Sequence, residues 1–214
     1  MTTTGLRAQF ALVHDRDGYC FVRSNPVEGI RDVTDKLFNG HIVYCLERQG
    51  NWVPVDYIKS KDTLRGYMYH DRLKPVSKYK ALPVTVRKSD RLVLSDGKIK
   101  VTIRTQAFSS RKHTLGYGPG NLDTIDGAAF WGTDGDVPAV EYHSICVTLG
   151  KQEVMLPAEA THALYQPTLT QTSAHYDEDT GNLYIQAVNS DGAGGYSVLW
   201  RVSKGRYAER VVLH

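Results

Sequence analysis

The stretch "NSDGAGGYSVLWRV", Asn189–Val202, decides how this chain is to be read. Its three glycines in four positions have the look of a loop that cradles phosphate. Such a loop works by presenting successive backbone N–H groups at the start of a helix, whose dipole adds to the attraction. After Gly195 the chain continues Tyr-Ser-Val-Leu-Trp-Arg-Val, β-branched and aromatic with a period of two. This is not the start of a helix, and no Lys-Ser/Thr pair is present. The glycines are therefore expected to supply positive φ angles in a bulged strand-to-strand loop, with Asp191 capping the turn.

Working outward, the same period of two recurs. Tyr196, Val198, Trp200 and Val202 form one apolar face, and Leu183, Ile185 and Ala187 another. In Lys98–Arg104, Ile99, Val101 and Ile103 share a face, while Lys98, Lys100 and Arg104 lie on the opposite one. Asp179–Asn182 and Ser203–Arg206 read as hairpin turns, which predicts a four-strand meander from about Gln171 to the end. One short helix is expected over Pro157–Tyr165, with proline at its first position and Glu159 in its first turn. Pro75–Pro83 interrupts the strand pattern and suggests a junction, giving domains 1–76 and 77–214. Residues 106–138 hold six glycines and no periodicity, which predicts a long functional or disordered loop. The fold class is all-β, its second domain a β-sandwich or meander with that one helix.

Composition narrows the function. The chain has 214 residues, 41% hydrophobic and 23% charged, enough for packed cores and ordinary for a soluble protein. No run of about 18 apolar residues is present, so no membrane span is expected. Residues 1–7 lack the apolar core of a signal peptide; the compartment would be periplasmic if a leader had been removed and cytoplasmic otherwise. The net charge of +3 hides an asymmetry: residues 74–112 carry 11 Lys and Arg against two Asp, whereas residues 113–214 carry five against 12 Asp and Glu. Opposed blocks of this kind govern how surfaces meet. Cys20 and Cys45 fall on alternating apolar stretches and can be two buried thiols or a disulfide; Cys146 is left over.

The first third of the chain carries a more specific signal. "DRDGYCFVRS" (Asp15–Ser24), "KLFNGHIVYCLERQGNWVPV" (Lys36–Val55) and "RGYMYHDRLKPV" (Arg65–Val76) succeed one another in the order and style of the bacterial SH3 (SH3b) family. Residues 8–76 resemble that family, with Phe21 a departure where it most often has Asn. The resemblance implies a small SH3-like barrel of five or six strands. Independently of it, Val22, Val43, Cys45 and Val53 can point inward, Gly40 and Gly50 suit turns, and Gly66 is expected to let Tyr67 turn a corner. The remainder is similar to uncharacterised bacterial β domains, which imply no activity.

SH3b modules often accompany wall hydrolases, yet no catalytic constellation is found. A peptidase thiol needs a helix start and a nearby positive charge, whereas all three cysteines lie on strand patterns. There is no Gly-x-Ser-x-Gly elbow and no His-Glu-x-x-His. The eight histidines are dispersed. Asp123, Asp126, Asp134, Asp136 and Asp177–Asp179 read as a solvated acidic rim rather than a calcium loop. Neither a metal nor a cofactor is expected. The basic strand around Lys98, Lys100 and Arg104 can be a solvated face or pair with the acidic half of its own domain; with only Phe108 as a stacking partner nucleic acid is disfavoured, and an acidic protein surface or an anionic wall polymer are the alternatives. The expectation is thus a non-catalytic binding protein. Its first form is an immunity or inhibitor protein that occludes a toxin or effector, inserting Trp131, Asp134, Asp136 and Tyr196. Its alternative is a wall module holding peptidoglycan stems over an aromatic floor of Tyr19, Trp52, Tyr67 and Tyr69; an unrecognised wall hydrolase is the third.

Overall fold

The computed structural model describes residues 8–213, and its named strand pairs are antiparallel. The described chain divides into two compact units, the first ending at Tyr79 and the second running Lys80–Val212. Among the described residues no helix is long and apolar enough to cross a membrane. The leader expectation for residues 1–7 lies outside the described residues.

The first unit consists of β1 (Gln9–Val13), β2 (Tyr19–Arg23), β3 (Val33–Phe38), β4 (Ile42–Cys45), β5 (Trp52–Lys59), β6 (Asp62–Tyr69) and β7 (Leu73–Pro75). They form one sheet in the order β3-β2-β6-β5-β4-β1-β7. Val22, Val43, Val53, Val55 and Met68 make its core together with Cys45, and Cys20 packs against that core. Both cysteines are free thiols, so the disulfide alternative is not realised. Gly66 does not turn a corner. A Cβ there would stand 2.3 Å from Val22 Cγ1 and 2.9 Å from the Arg23 carbonyl oxygen, so its role is to let β2 and β6 approach closely.

The second unit holds two five-stranded sheets. One is built from β9 (Val84–Arg87), β10 (Arg91–Ser95), β11 (Ile99–Ala107), β14 (Val140–Leu149) and β15 (Gln152–Met155). The other is built from β8 (Lys80–Ala81), β16 (Thr172–Asp177), β17 (Asn182–Asn189), β18 (Tyr196–Ser203) and β19 (Arg206–Leu213). Leu92, Ile103 and Val147 from the first sheet share one buried cluster with Ile185, Val198 and Trp200 from the second. This is the packing of a β-sandwich, with the C-terminal meander as one of its layers. A small hairpin of β12 (Leu115–Tyr117) and β13 (Leu122–Ile125) stands apart with its own cluster of Leu122, Ile125 and Tyr165. Residues 106–138 are therefore not a structureless loop. Their periodicity is lost because the strands are three and four residues long and bulged at Gly116/Tyr117.

The helix expected over Pro157–Tyr165 is a single 3-10 turn, Ala158–Ala160. Ala163 (φ 61°) and Gln166 (φ 50°) are left-handed, and the Tyr165 N–H bonds to Trp131 O, outside any helix. The opening glycine stretch joins β17 to β18 through a 3-10 turn, Gly192–Gly194. Positive φ falls on Ser190 and Gly192, and Asp191 makes no side-chain cap. Gly194 serves a different purpose: a Cβ there would lie 2.6 Å from the Thr133 carbonyl carbon. The neighbouring Gly132 N–H bonds to Gly194 O at 2.9 Å, so the two loops touch backbone to backbone.

Candidate binding cleft and the histidine clamp

In the first unit, alternation along β2 places Tyr19, Phe21 and Arg23 on one side of the strand. Across the sheet, Trp52 of β5 is paired directly with Tyr69 of β6, their rings 4.3 Å apart. These five residues, with Asp15, Asp17 and Arg72, line a cleft of about 190 Å³. The Arg23 guanidinium lies 5.7 Å over the Trp52 ring and donates to the Gly29 carbonyl. The Tyr69 hydroxyl donates to Glu28 Oε1 at 2.7 Å. At the far wall Arg72 pairs with the buried Asp15 carboxylate, which also accepts the Asp17 N–H at 2.7 Å. The Asp17 N–H, working against burial and helped by Arg72, holds Asp15 below the ordinary carboxylate value. The cleft thus offers an aromatic floor, fixed charges of both signs and preset side chains. Beside it Tyr19 contacts Phe38, and Lys36 Nζ sits 3.5 Å over the Tyr19 ring.

Of the four residues expected to form an aromatic floor, the structure brings Tyr19, Trp52 and Tyr69 together. Tyr67 shares a side of β6 with Tyr69 but does not line the cleft. Burial pushes the nearby Cys20 thiol up to about 11, which leaves it protonated and weakly nucleophilic at neutral pH.

The second unit has a cavity of about 300 Å³ that the sequence did not reveal. At its wall His113 is held between two carboxylates, Nδ1 at 2.7 Å from Asp126 Oδ2 and Nε2 at 2.8 Å from Glu141 Oε2. Each carboxylate has a further donor: the Thr114 N–H to Asp126 at 2.8 Å, and Gln106 Nε2 to Glu141 at 2.7 Å. The imidazole stacks on Phe108 at 4.7 Å. Burial alone would lower its pKa, but hydrogen bonds and charge from Asp126 and Glu141 outweigh it and raise it. Asp126 is therefore part of a clamp and not simply of an acidic rim. Its three members come from three separate segments, a grouping that spacing along one chain does not display. No group of three or more His, Cys, Asp or Glu suited to a metal occurs among the described residues.

The remaining expected residues divide. Asp134 and Asp136 are exposed, as are Lys98, Lys100 and Arg104. Trp131 is half-buried and packs at 6.3 Å from Tyr196. Tyr196 is 3% exposed and donates its hydroxyl hydrogen to Tyr165 O at 2.9 Å, so it is a core residue and not an inserting tip. The physical reason lies in its strand: Tyr196 opens the inward face that continues through Val198 and Trp200.

Comparison with protein-family models, with curated proteins and with solved structures found no match. The class this fold defines is an all-β protein of two units, one a single seven-stranded sheet and one a sandwich.

Proposed function

We propose that the chain is a non-catalytic binding protein of the bacterial SH3 kind, whose first unit holds the peptide stem of peptidoglycan. The observation that carries this reading is the convergence of Tyr19, Trp52 and Tyr69 with Arg23, Arg72 and Asp17 on one cleft. A stem peptide alternates small apolar side chains with carboxylates and amines. Flat rings take the former, the two arginines the carboxylates and Asp17 an amine. The volume suits one or two residues, so affinity would be modest and avidity on a polymer would matter. Titration of a soluble stem peptide, monitored by amide shifts, tests the proposal. Binding that perturbs the cleft and weakens about tenfold in Arg23→Gln supports it. Shifts confined to other surfaces, or none at millimolar peptide, would reject it.

A second reading, an immunity protein occluding a toxin or effector, is favoured by the exposed pair Asp134 and Asp136. Their loop is fixed by the Leu122 N–H to Gly135 O bond at 2.8 Å and by the Thr133 hydroxyl donating to Asp136 O at 2.5 Å. A preset acidic tip of this kind steers encounter with a basic active site. A one-to-one toxin complex lost in Asp134→Ala/Asp136→Ala but kept in Arg23→Gln would favour this reading over the first.

A further inference from the structure

The outer face of the β9–β10–β11–β14–β15 sheet carries an unrelieved conflict of charge. Alternation along β11 buries Ile99, Val101 and Ile103 and turns Lys100, Thr102 and Arg104 outward. Across the ladder Arg104 is paired directly with Arg91 of β10. Like charges opposite each other on one face repel, and cross-strand neighbours stand only about 5 Å apart at Cβ. No salt bridge involves Arg91, Arg104 or Lys100 among the described residues, so no carboxylate relieves the pair. In addition, Arg91 Nε is buried and has no hydrogen-bond partner. The buried Nε is closed to solvent, but the cross-strand pair leaves two uncompensated cations on one face of the sheet, which favours an anion from outside.

We infer that Arg91 and Arg104, extended along the strand by Lys100, form a binding site for a phosphate group carried on a polymer chain. One feature favours phosphate over carboxylate, and a second favours a polymer over a single ion. One guanidinium fork saturates both oxygens of a carboxylate, whereas two arginines paired across adjacent strands can be served together by the additional oxygens and larger charge of a phosphate. Lys100 lies four residues from Arg104 on the same face, about 13 Å along the strand, so a second anionic group on the same chain would meet it. Nucleic acid is disfavoured because Phe108, the nearby ring, is stacked against His113 and is not free to take a base. This site lies in the second unit and does not depend on the peptide cleft.

The test uses the full chain with inorganic polyphosphate as probe, at low and physiological salt, alongside poly-L-glutamate and a single-stranded oligonucleotide of matched charge. Saturable polyphosphate binding is expected, stronger than to polyglutamate, weakening with salt and falling at least about tenfold in Arg91→Gln/Arg104→Gln. The cleft variant Arg23→Gln should bind polyphosphate normally. Polyphosphate should raise the wild-type melting temperature but not that of the double variant, which unliganded should be no less stable, having lost a repulsive pair. Equal binding to polyglutamate, preference for the oligonucleotide, or unchanged polyphosphate binding by a folded double variant would each overturn the assignment. A double variant that melts well below wild type without ligand would show that the arginines are structural, and would overturn it too.

Discussion

His113 Nε2 stands 2.8 Å from Glu141 Oε2 while its Nδ1 is engaged by Asp126, so a single imidazole ties the β12–β13 hairpin to β14. When the imidazole is protonated, both ring nitrogens can donate to the carboxylates. Because the folded pKa of His113 is raised, its contribution is complete below the ordinary value of 6.5 and is lost as pH climbs through the folded value. Asp126 is lowered, so its share is present above 3.8 and is lost as pH falls through its own folded value. The clamp should therefore act at full strength between those limits. His113→Gln is expected to cost about 2 kcal/mol near pH 6 and much less at pH 9, measured by denaturant unfolding. A difference independent of pH would mean that the ring acts only through packing.

Gly194 is predicted to resist substitution for reasons of space. An added Cβ would lie 2.6–2.8 Å from the Thr133 backbone, and backbone yields less readily than a side-chain tip. Gly194→Ala should cost about 2 kcal/mol, as overpacking typically does. Gly195→Ala is the control, because its nearest contact is 3.2 Å and its φ of −65° suits any residue. If the two variants melt together, the contact between the loops is not tight.

The face Tyr196–Val202 and the turns at Asp179–Asn182 and Ser203–Arg206 were legible in the sequence because alternation and turn residues are local properties. The tight connection of β5 to β6 was not, since its left-handed residues are Ser60 and Lys61, with no Asn or Gly to announce them. Three of the four aromatics expected on one floor, Tyr19, Trp52 and Tyr69, share a cleft because they sit at strand positions that alternation fixes. The histidine clamp was missed: Asp126, His113 and Glu141 meet only once the hairpin docks, and long-range pairing leaves no periodic trace. Tyr196 was misassigned because a tyrosine beside a glycine loop looks exposed, whereas its place in the β18 alternation already put it inward.

The three thiols should be quiet in the native protein. Burial pushes Cys45 up to about 12 and also raises Cys146, which gains further from Glu153. Thiolate is the reactive form, so labelling with a disulfide reagent at neutral pH should be slow for Cys20 and Cys45 and become complete for three thiols on unfolding. A titration yielding one thiol in denaturant without reductant would reveal a bridge between two of them.

Trp200 offers the sharpest test of the sandwich core. Its side chain is fully buried, meets Tyr142 edge-on at 5.6 Å, and donates its Nε1–H to the Ala160 carbonyl at 2.6 Å. That bond fastens the 3-10 turn Ala158–Ala160 onto the β18 sheet layer. Trp200→Phe keeps an aromatic ring but leaves a void and a carbonyl with its donor removed. The two losses together should cost about 3 kcal/mol. Trp131→Phe, at a half-buried position, should cost less than about 1 kcal/mol. Because the turn carries Glu159 and precedes His162 at the cavity wall, Trp200→Phe should also increase amide exchange over 158–165 more than elsewhere. Equal stability losses in the two tryptophan variants, with no local rise in exchange, would show that the indole N–H does not hold this turn in place.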